Sequence, residues 1–95
     1  MRVIWAKSAT LARSALIDYI ADDNVLAALD VDDTITAATL RLSDFPLLGK
    51  HGRIAGTREL VVHEHYILVY EVTGECIIVL MLLHTARQWP SGHAE

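Results

Sequence analysis

The sequence has a single cysteine, only two prolines and fewer basic than acidic residues. One cysteine excludes a disulfide bond within the chain. Because Cys76 lies in an apolar run at 76–83, we expect a buried, inert thiol, since reactive thiols need exposed, electropositive surroundings. Disulfide chemistry and cysteine catalysis are therefore not expected functions.

Positive charge is scarce and unevenly placed. The chain has 8 Lys and Arg against 12 Asp and Glu, for a formal net charge of −4. This balance disfavours nucleic-acid binding through overall charge, because phosphate contacts need clustered Lys and Arg. Four basic side chains nevertheless fall close together, namely Lys50, His51, Arg53 and Arg58. We expect them to form a local basic patch on an acidic molecule.

The sequence also lacks a long apolar segment. The run at 76–83 is far shorter than the about 20 residues that a membrane-spanning helix requires. The N-terminus shows no apolar stretch before a cleavage site, as a secretory signal would. These absences predict a cytoplasmic protein with no membrane partner.

The length of 95 residues predicts one domain, at 1–90, followed by a flexible tail at 91–95. The composition is 53% hydrophobic and the mean hydropathy is +0.33, which is high for a domain with so little interior. Some apolar side chains should therefore stay exposed, and exposed apolar surface usually marks a partner interface.

Helical periodicity fills the first half of the chain after a short strand at 2–5. Ser8 is expected to cap the first helix, and the Asp-Asp-Asn sequence at 22–24 to end it and cap the second. The Phe-Pro pair at 45–46 should end the second helix. The first helix is expected to bury Ala12, Ala15, Leu16, Tyr19 and Ile20, and the second Ala28, Val31, Ile35, Ala38 and Leu42. A connection this short predicts an antiparallel helical hairpin.

The second half of the chain reads as a loop and three strands. Gly49, Gly52 and the basic residues indicate a loop at 47–55, and Thr-Gly-Glu at 73–75 indicates a hairpin turn. The strands are predicted at 57–62, 66–72 and 76–83, and the uniform apolarity of the last indicates burial on both faces. The order β-α-α-β-β-β predicts an α+β fold, in which the helical hairpin packs on a mostly antiparallel sheet with a three-stranded C-terminal meander.

No cofactor or metal is expected. His63 and His65 share one face of an extended segment, but two imidazoles without a third ligand nearby are a weak metal signal.

Several short motifs in this order and spacing resemble one family. They are Tyr-Ile-Ala at 19–21, Asp-Asn at 23–24, Phe-Pro at 45–46, Gly-Lys-His-Gly-Arg at 49–53, Gly-Thr-Arg-Glu-Leu-Val-Val at 56–62, Tyr-Ile-Leu-Val-Tyr at 66–70 and Leu-His-Thr-Ala-Arg-Gln-Trp-Pro at 83–90. The chain resembles the RelE/ParE superfamily of toxins from bacterial type II toxin–antitoxin modules, and it is most similar to the ParE branch.

This resemblance implies a small toxin that is neutralised by a cognate antitoxin. The disordered C-terminal segment of the antitoxin would wrap the toxin, and operator DNA would be bound only through the antitoxin. Residues expected to contact the antitoxin or the cellular target are Lys50, Arg53, Arg58, Tyr66, His84, Arg87 and Trp89.

The resemblance leaves two toxin mechanisms open. The ParE branch implies inhibition of DNA gyrase and hence of DNA replication, without covalent chemistry by the toxin. The RelE branch implies ribosome-dependent mRNA cleavage, for which the candidate catalytic residues are Arg58, Glu59, His84 and Arg87. RNA-cleaving relatives typically carry an arginine where this sequence has Ile67, so gyrase inhibition is favoured and an enzymatic activity is not. A non-toxic interaction module of the same fold is a third reading.

Overall fold

A computed structural model describes residues 1–85 and contains two helices and five strands. In chain order the elements are β1 (Arg2–Trp5), α1 (Lys7–Asp23), α2 (Val25–Asp44), β2 (Lys50–His51), β3 (Arg58–His63), β4 (Tyr66–Thr73) and β5 (Cys76–His84). The predicted tail at 91–95, together with Arg87 and Trp89, lies outside the described residues.

All five strands form one sheet in the order β1-β5-β4-β3-β2. β1 runs parallel to β5, and the other three pairs are antiparallel. The α+β fold with its helical hairpin and C-terminal meander is therefore confirmed. The two-residue strand β2 lies inside the segment predicted as a loop; Lys50 pairs there with Glu59, and His51 pairs with Arg58.

The two helices are connected by Asn24 alone. Its side chain accepts a hydrogen bond from the backbone N–H of Ala27 at 3.0 Å, which caps α2 as predicted. The predicted cap of α1 was wrong, because the helix begins at Lys7 and Ala6 occupies the cap position without a side-chain bond. Ser8 lies inside the first turn, and its hydroxyl donates to the carbonyl of Leu80.

The core lies between the hairpin and one face of the sheet. The predicted stripe on α2 is confirmed, since its five members are at most 5% exposed. It packs against the strand residues Val62, Leu68, Tyr70, Ile77 and Val79. On α1 the prediction was partly wrong. Leu16 and Ile20 face the core together with Ala9 and Ile17, whereas Ala15 is exposed and Tyr19 is 75% exposed.

β5 is buried less evenly than its sequence indicates. Ile77 and Val79, which face the helices, are fully buried, whereas Ile78 and Leu80 are only partly buried. Cys76, the first residue of β5, is also partly exposed, so the expectation of a buried thiol was wrong. The strand begins beside the exposed turn at 74–75, where less structure covers the sheet.

Neither described helix is apolar over enough of its length to cross a membrane.

Candidate functional site

The basic residues predicted as a patch lie on one segment, residues 49–58, which contains β2, the turn after it and the first residue of β3. We call this segment the basic loop. Its tip is closed by backbone bonds from the N–H of Gly52 to the carbonyl of Thr57 at 2.8 Å and from the N–H of Thr57 to that of Ile54 at 3.1 Å. Thr57 is buried, and its hydroxyl also donates to the carbonyl of Ile54 at 2.7 Å. The loop is thus a folded element rather than a free connection.

Arg53 folds back onto Glu59 at the base of this loop. The carboxylate of Glu59 accepts hydrogen bonds from the backbone N–H, Nε and one terminal nitrogen of Arg53, at 3.0, 3.0 and 3.1 Å. The Glu59 side chain is 3% exposed and the Arg53 side chain 51% exposed. Glu59 is therefore a buried, neutralised anchor for the loop, which does not suit a general base.

The same contacts determine how Glu59 titrates. Burial alone would raise the pKa of this carboxyl group, but the hydrogen bonds from Arg53 and the positive charges of Arg53 and Lys50 outweigh burial. The pKa of Glu59 therefore lies below its ordinary value of 4.5.

A carboxyl group with a lowered folded-state pKa stabilises the fold above its unfolded-state pKa and loses that contribution as the pH falls through the folded value. We therefore expect the free energy of unfolding to fall on acidification below about pH 4.5, and Glu59→Gln to flatten this dependence. Urea unfolding at a series of pH values measures both effects. Glu75→Gln, in the exposed β4–β5 turn, is the matched control. An equal flattening by the control would contradict the assignment to Glu59.

A buried tyrosine fixes the start of the basic loop. The hydroxyl of Tyr70, a fully buried residue of β4, accepts from the backbone N–H of Gly49 and donates to the carbonyl of Pro46, each at 2.8 Å. A Cβ atom on Gly49 would lie 2.7 Å from the carbonyl oxygen of Glu59 and 2.9 Å from the Tyr70 ring. Only glycine fits this close approach.

Arg58 also holds the start of the basic loop in place. One terminal nitrogen donates to the carbonyl of Gly49 at 2.7 Å and lies 3.5 Å from that of Leu47. Because residue 58 pairs with Tyr70 and Glu59 pairs with Val69, the two side chains lie on opposite faces of the sheet. Arg58 lies on the helix side, and Glu59 lies on the other.

A second group of polar side chains lies at the far end of the strands, where the β3–β4 turn meets the end of β5. The rings of His65 and His84 are stacked, 5.6 Å apart and 3° from parallel. The ring of Tyr66 is perpendicular to that of His84 at 5.2 Å. His63 also lies beside Tyr66, at 5.7 Å, and its Nε2 is 3.9 Å from a carboxylate oxygen of Asp30 on α2. We call this group the histidine cluster.

The candidate catalytic residues are therefore not gathered in one place. Arg58 on β3 pairs with Tyr70 on β4. His84 on β5 pairs with Tyr66, which is four residues earlier on β4, and β5 lies on the opposite side of β4 from β3. At 3.3 Å per residue and 4.8 Å per strand, the Cα atoms of Arg58 and His84 are about 16 Å apart. The rings of Tyr66 and His84 do lie together, and Lys50 and Arg53 are exposed on the basic loop. Arg87 lies outside the described residues.

No group of three His, Cys, Asp or Glu side chains within residues 1–85 is arranged to hold a metal ion. The imidazoles of the histidine cluster contact one another through their rings instead.

Sequence reasoning missed the anchoring roles of Gly49 and Tyr70. The signals were a glycine inside a basic segment and a tyrosine on the core face of a strand. Neither signal identifies the hydrogen-bond partner, which is 21 residues away in the chain.

Comparison with known proteins gives consistent results. The sequence pattern of the family described as "ParE toxin of type II toxin-antitoxin system, parDE" matches residues 3–89. Y4kP of Sinorhizobium fredii, a protein named as a toxin, is 33% identical over 90 residues, which cover 94% of this chain and 93% of the relative. Toxin RelE2 of Caulobacter vibrioides is 31% identical over 88 residues, which cover 90% of this chain and 97% of the relative.

Two solved structures share the fold. The chromosomal ParDE toxin–antitoxin system of P. aeruginosa matches with a TM-score of 0.75 at 20% identity, over 88% of this chain and 95% of the other. The YoeB/ParE toxin of Agrobacterium tumefaciens matches with a TM-score of 0.62 at 15% identity, over 88% and 98%. The family match spans nearly the whole chain, so this protein belongs to the ParE toxin family of type II toxin–antitoxin systems.

Proposed function

We propose that this chain is a toxin that inhibits DNA gyrase in the cytoplasm and is neutralised by a cognate antitoxin. The observation that carries the proposal is that two of the candidate catalytic groups are already engaged within the fold. Arg58 donates to the backbone carbonyl of Gly49, and Glu59 is buried against Arg53. Cleavage of RNA needs a cation at the scissile phosphate and an acid or base within hydrogen-bond reach of the reacting groups. The described residues favour a toxin that acts by binding.

The antitoxin site is proposed at the basic loop and the apolar residues that precede it. Phe45, Leu47 and Leu48 are 64%, 65% and 44% exposed, and the exposed Lys50 follows them. Apolar anchors beside positive charge suit a disordered segment that carries apolar and acidic residues and folds on binding. An antitoxin segment bound on this surface would also prevent Lys50 from contacting the target.

The second candidate function is ribosome-dependent mRNA cleavage, which among residues 1–85 is favoured by the histidine cluster alone. His65, His84 and Tyr66 place groups capable of proton transfer at one end of the sheet. Under this reading His84→Ala lowers the cleavage rate by a factor of about 100 or more. If the chain instead inhibits gyrase, neither the wild-type chain nor His84→Ala should cleave mRNA.

The purified, antitoxin-free chain is expected to inhibit supercoiling of relaxed plasmid by gyrase and to leave mRNA intact in a translation reaction. Lys50→Ala should weaken inhibition about five- to tenfold, the effect of losing one charged contact worth about 1 to 1.5 kcal/mol. Lys7→Ala, which removes an exposed lysine at the start of α1, is the matched control and should inhibit normally. Cleaved mRNA with undisturbed supercoiling would overturn the proposal.

A further inference from the structure

The tip of the helical hairpin has an exposed apolar surface that the core does not use. Val25, Leu26 and Leu29 occupy the first two turns of α2 and are 61%, 78% and 54% exposed. Their spacing of one, three and four residues places them side by side on the surface. Ala28, between them, is 2% exposed and faces the core. These three side chains are here called the tip patch.

Negative charge surrounds the tip patch. Residues 14–40 contain six aspartates and no lysine or arginine. Asp30 and Asp33 lie four residues after Leu26 and Leu29, which is one turn further along the same side of the helix. The six are Asp18, Asp22, Asp23, Asp30, Asp32 and Asp33.

Few of these charges are neutralised by the rest of the described chain. Asp32 is paired with Arg13 at 2.9 Å, and Asp30 lies 3.9 Å from His63. Within residues 1–85, the other four have no ion-pair partner within 4.0 Å. An apolar surface flanked by carboxylates, most of them without an ion-pair partner in the described chain, is complementary to apolar side chains flanked by Lys or Arg.

We propose that the tip patch docks a cationic amphipathic helix of a protein partner. Leucine-like side chains of that helix would cover Leu26 and Leu29, and its flanking Lys or Arg would pair with Asp30 and Asp33. A second copy of this chain or an anionic lipid surface would bring like charges together, and so would an acidic peptide. The surface lies at the opposite end of α2 from Phe45 and the basic loop, so this docking is independent of the proposed antitoxin site.

The test uses the full chain labelled with ¹⁵N and two synthetic 18-residue peptides with helical amphipathic patterns, one of Leu and Lys and the other of Leu and Glu. The Leu/Lys peptide should shift the amide resonances of residues 25–33 and bind more weakly as salt rises. The Leu/Glu peptide should not bind. Failure of the Leu/Lys peptide to bind, or equal binding of both peptides, would overturn the proposal.

Variants separate the tip patch from general acidity. Leu26→Ser with Leu29→Ser should weaken Leu/Lys binding at least tenfold. The matched control is Leu11→Ser with Leu40→Ser, at leucines 60% and 65% exposed and about 15 Å or more from the tip along the helices. The control should change affinity less than twofold, and an equal loss would refute the site.

Reversal of charge gives an independent check. Asp30→Lys with Asp33→Lys should exclude the Leu/Lys peptide and admit the Leu/Glu peptide. Concentration-dependent dimerisation of the wild-type chain that is lost in the leucine double variant would identify a second copy as the occupant and contradict the proposal.

Discussion

Gly49→Ala is expected to abolish stable folding near physiological temperature. The new methyl group would lie 2.7 Å from the backbone oxygen of Glu59 and 2.9 Å from the buried ring of Tyr70. A backbone oxygen within a paired strand and a fully buried ring have little freedom to move away. Overpacking of this severity costs about 3 kcal/mol or more, which corresponds to a fall in Tm of about 12 to 24 °C in a domain of this size. Thermal unfolding followed by circular dichroism measures the change.

The control is a glycine in open space. Gly74→Ala, in the β4–β5 turn, places its methyl group where no atom lies within 4 Å, and only the backbone angle φ of +51° opposes it. Its cost should be about 1 kcal/mol. Equal destabilisation by the two alanines would contradict the close-approach explanation.

Tyr70→Phe tests the hydrogen bonds that the Tyr70 hydroxyl makes at the start of the basic loop. The ring remains, but the N–H of Gly49 and the carbonyl of Pro46 both lose their partner in the hydroxyl group. Unpaired buried polar groups cost about 1 to 3 kcal/mol each. The basic loop should also become mobile before the core does, and faster amide hydrogen exchange at residues 49–53 would report that order.

Arg53→Met is expected to produce the second large effect. The variant keeps the backbone N–H that donates to Glu59 but removes both guanidinium bonds from a carboxylate that is 3% exposed. A buried charge that loses its partner destabilises a protein by about 3 to 5 kcal/mol. Because half of the Arg53 side chain is exposed, we expect a smaller loss of about 2 to 3 kcal/mol.

Two measurements make this prediction specific. The pKa of Glu59 should rise in Arg53→Met, since burial would then act without the opposing guanidinium, and NMR titration of the carboxyl carbon measures it. Arg2→Met removes an exposed arginine from β1 and should change stability by less than about 0.5 kcal/mol. If Arg53→Met is as stable as the wild-type chain and the pKa of Glu59 is unchanged, the Arg53–Glu59 pair does not stabilise the fold.

The α2 stripe and the four longer strands were predictable because their signals are local, whereas the two-residue strand β2 was not. Ala28, Val31 and Ile35 recur at the helical period, and burial of that side follows from the period alone. Tyr19 has the same spacing relative to Leu16 but is exposed, because the side of α1 that contacts the sheet is set by tertiary packing rather than by periodicity.

The site was less predictable, because it depends on which distant groups meet. The sequence places Arg53, Arg58 and Glu59 close together, but it does not say that Glu59 pairs with Arg53 or that Arg58 binds the carbonyl of Gly49. Strand alternation is a local signal, and it does place Arg58 and Glu59 on opposite faces, in agreement with the register. The stacking of His65 on His84 depends on the geometry of a turn, which composition does not encode.

The parallel pairing of β1 with β5 has a consequence for synthesis of the toxin. The first strand hydrogen-bonds to the last, with Arg2 opposite Cys76 and Trp5 opposite Val79. In a nascent chain that ends before β5, the strand β1 therefore has no pairing partner. The helices also lack Ile77 and Val79, against which their apolar side chains pack in the finished fold. Contacts between residues far apart in sequence slow folding. The sheet and its core can therefore be completed only once β5 has been translated.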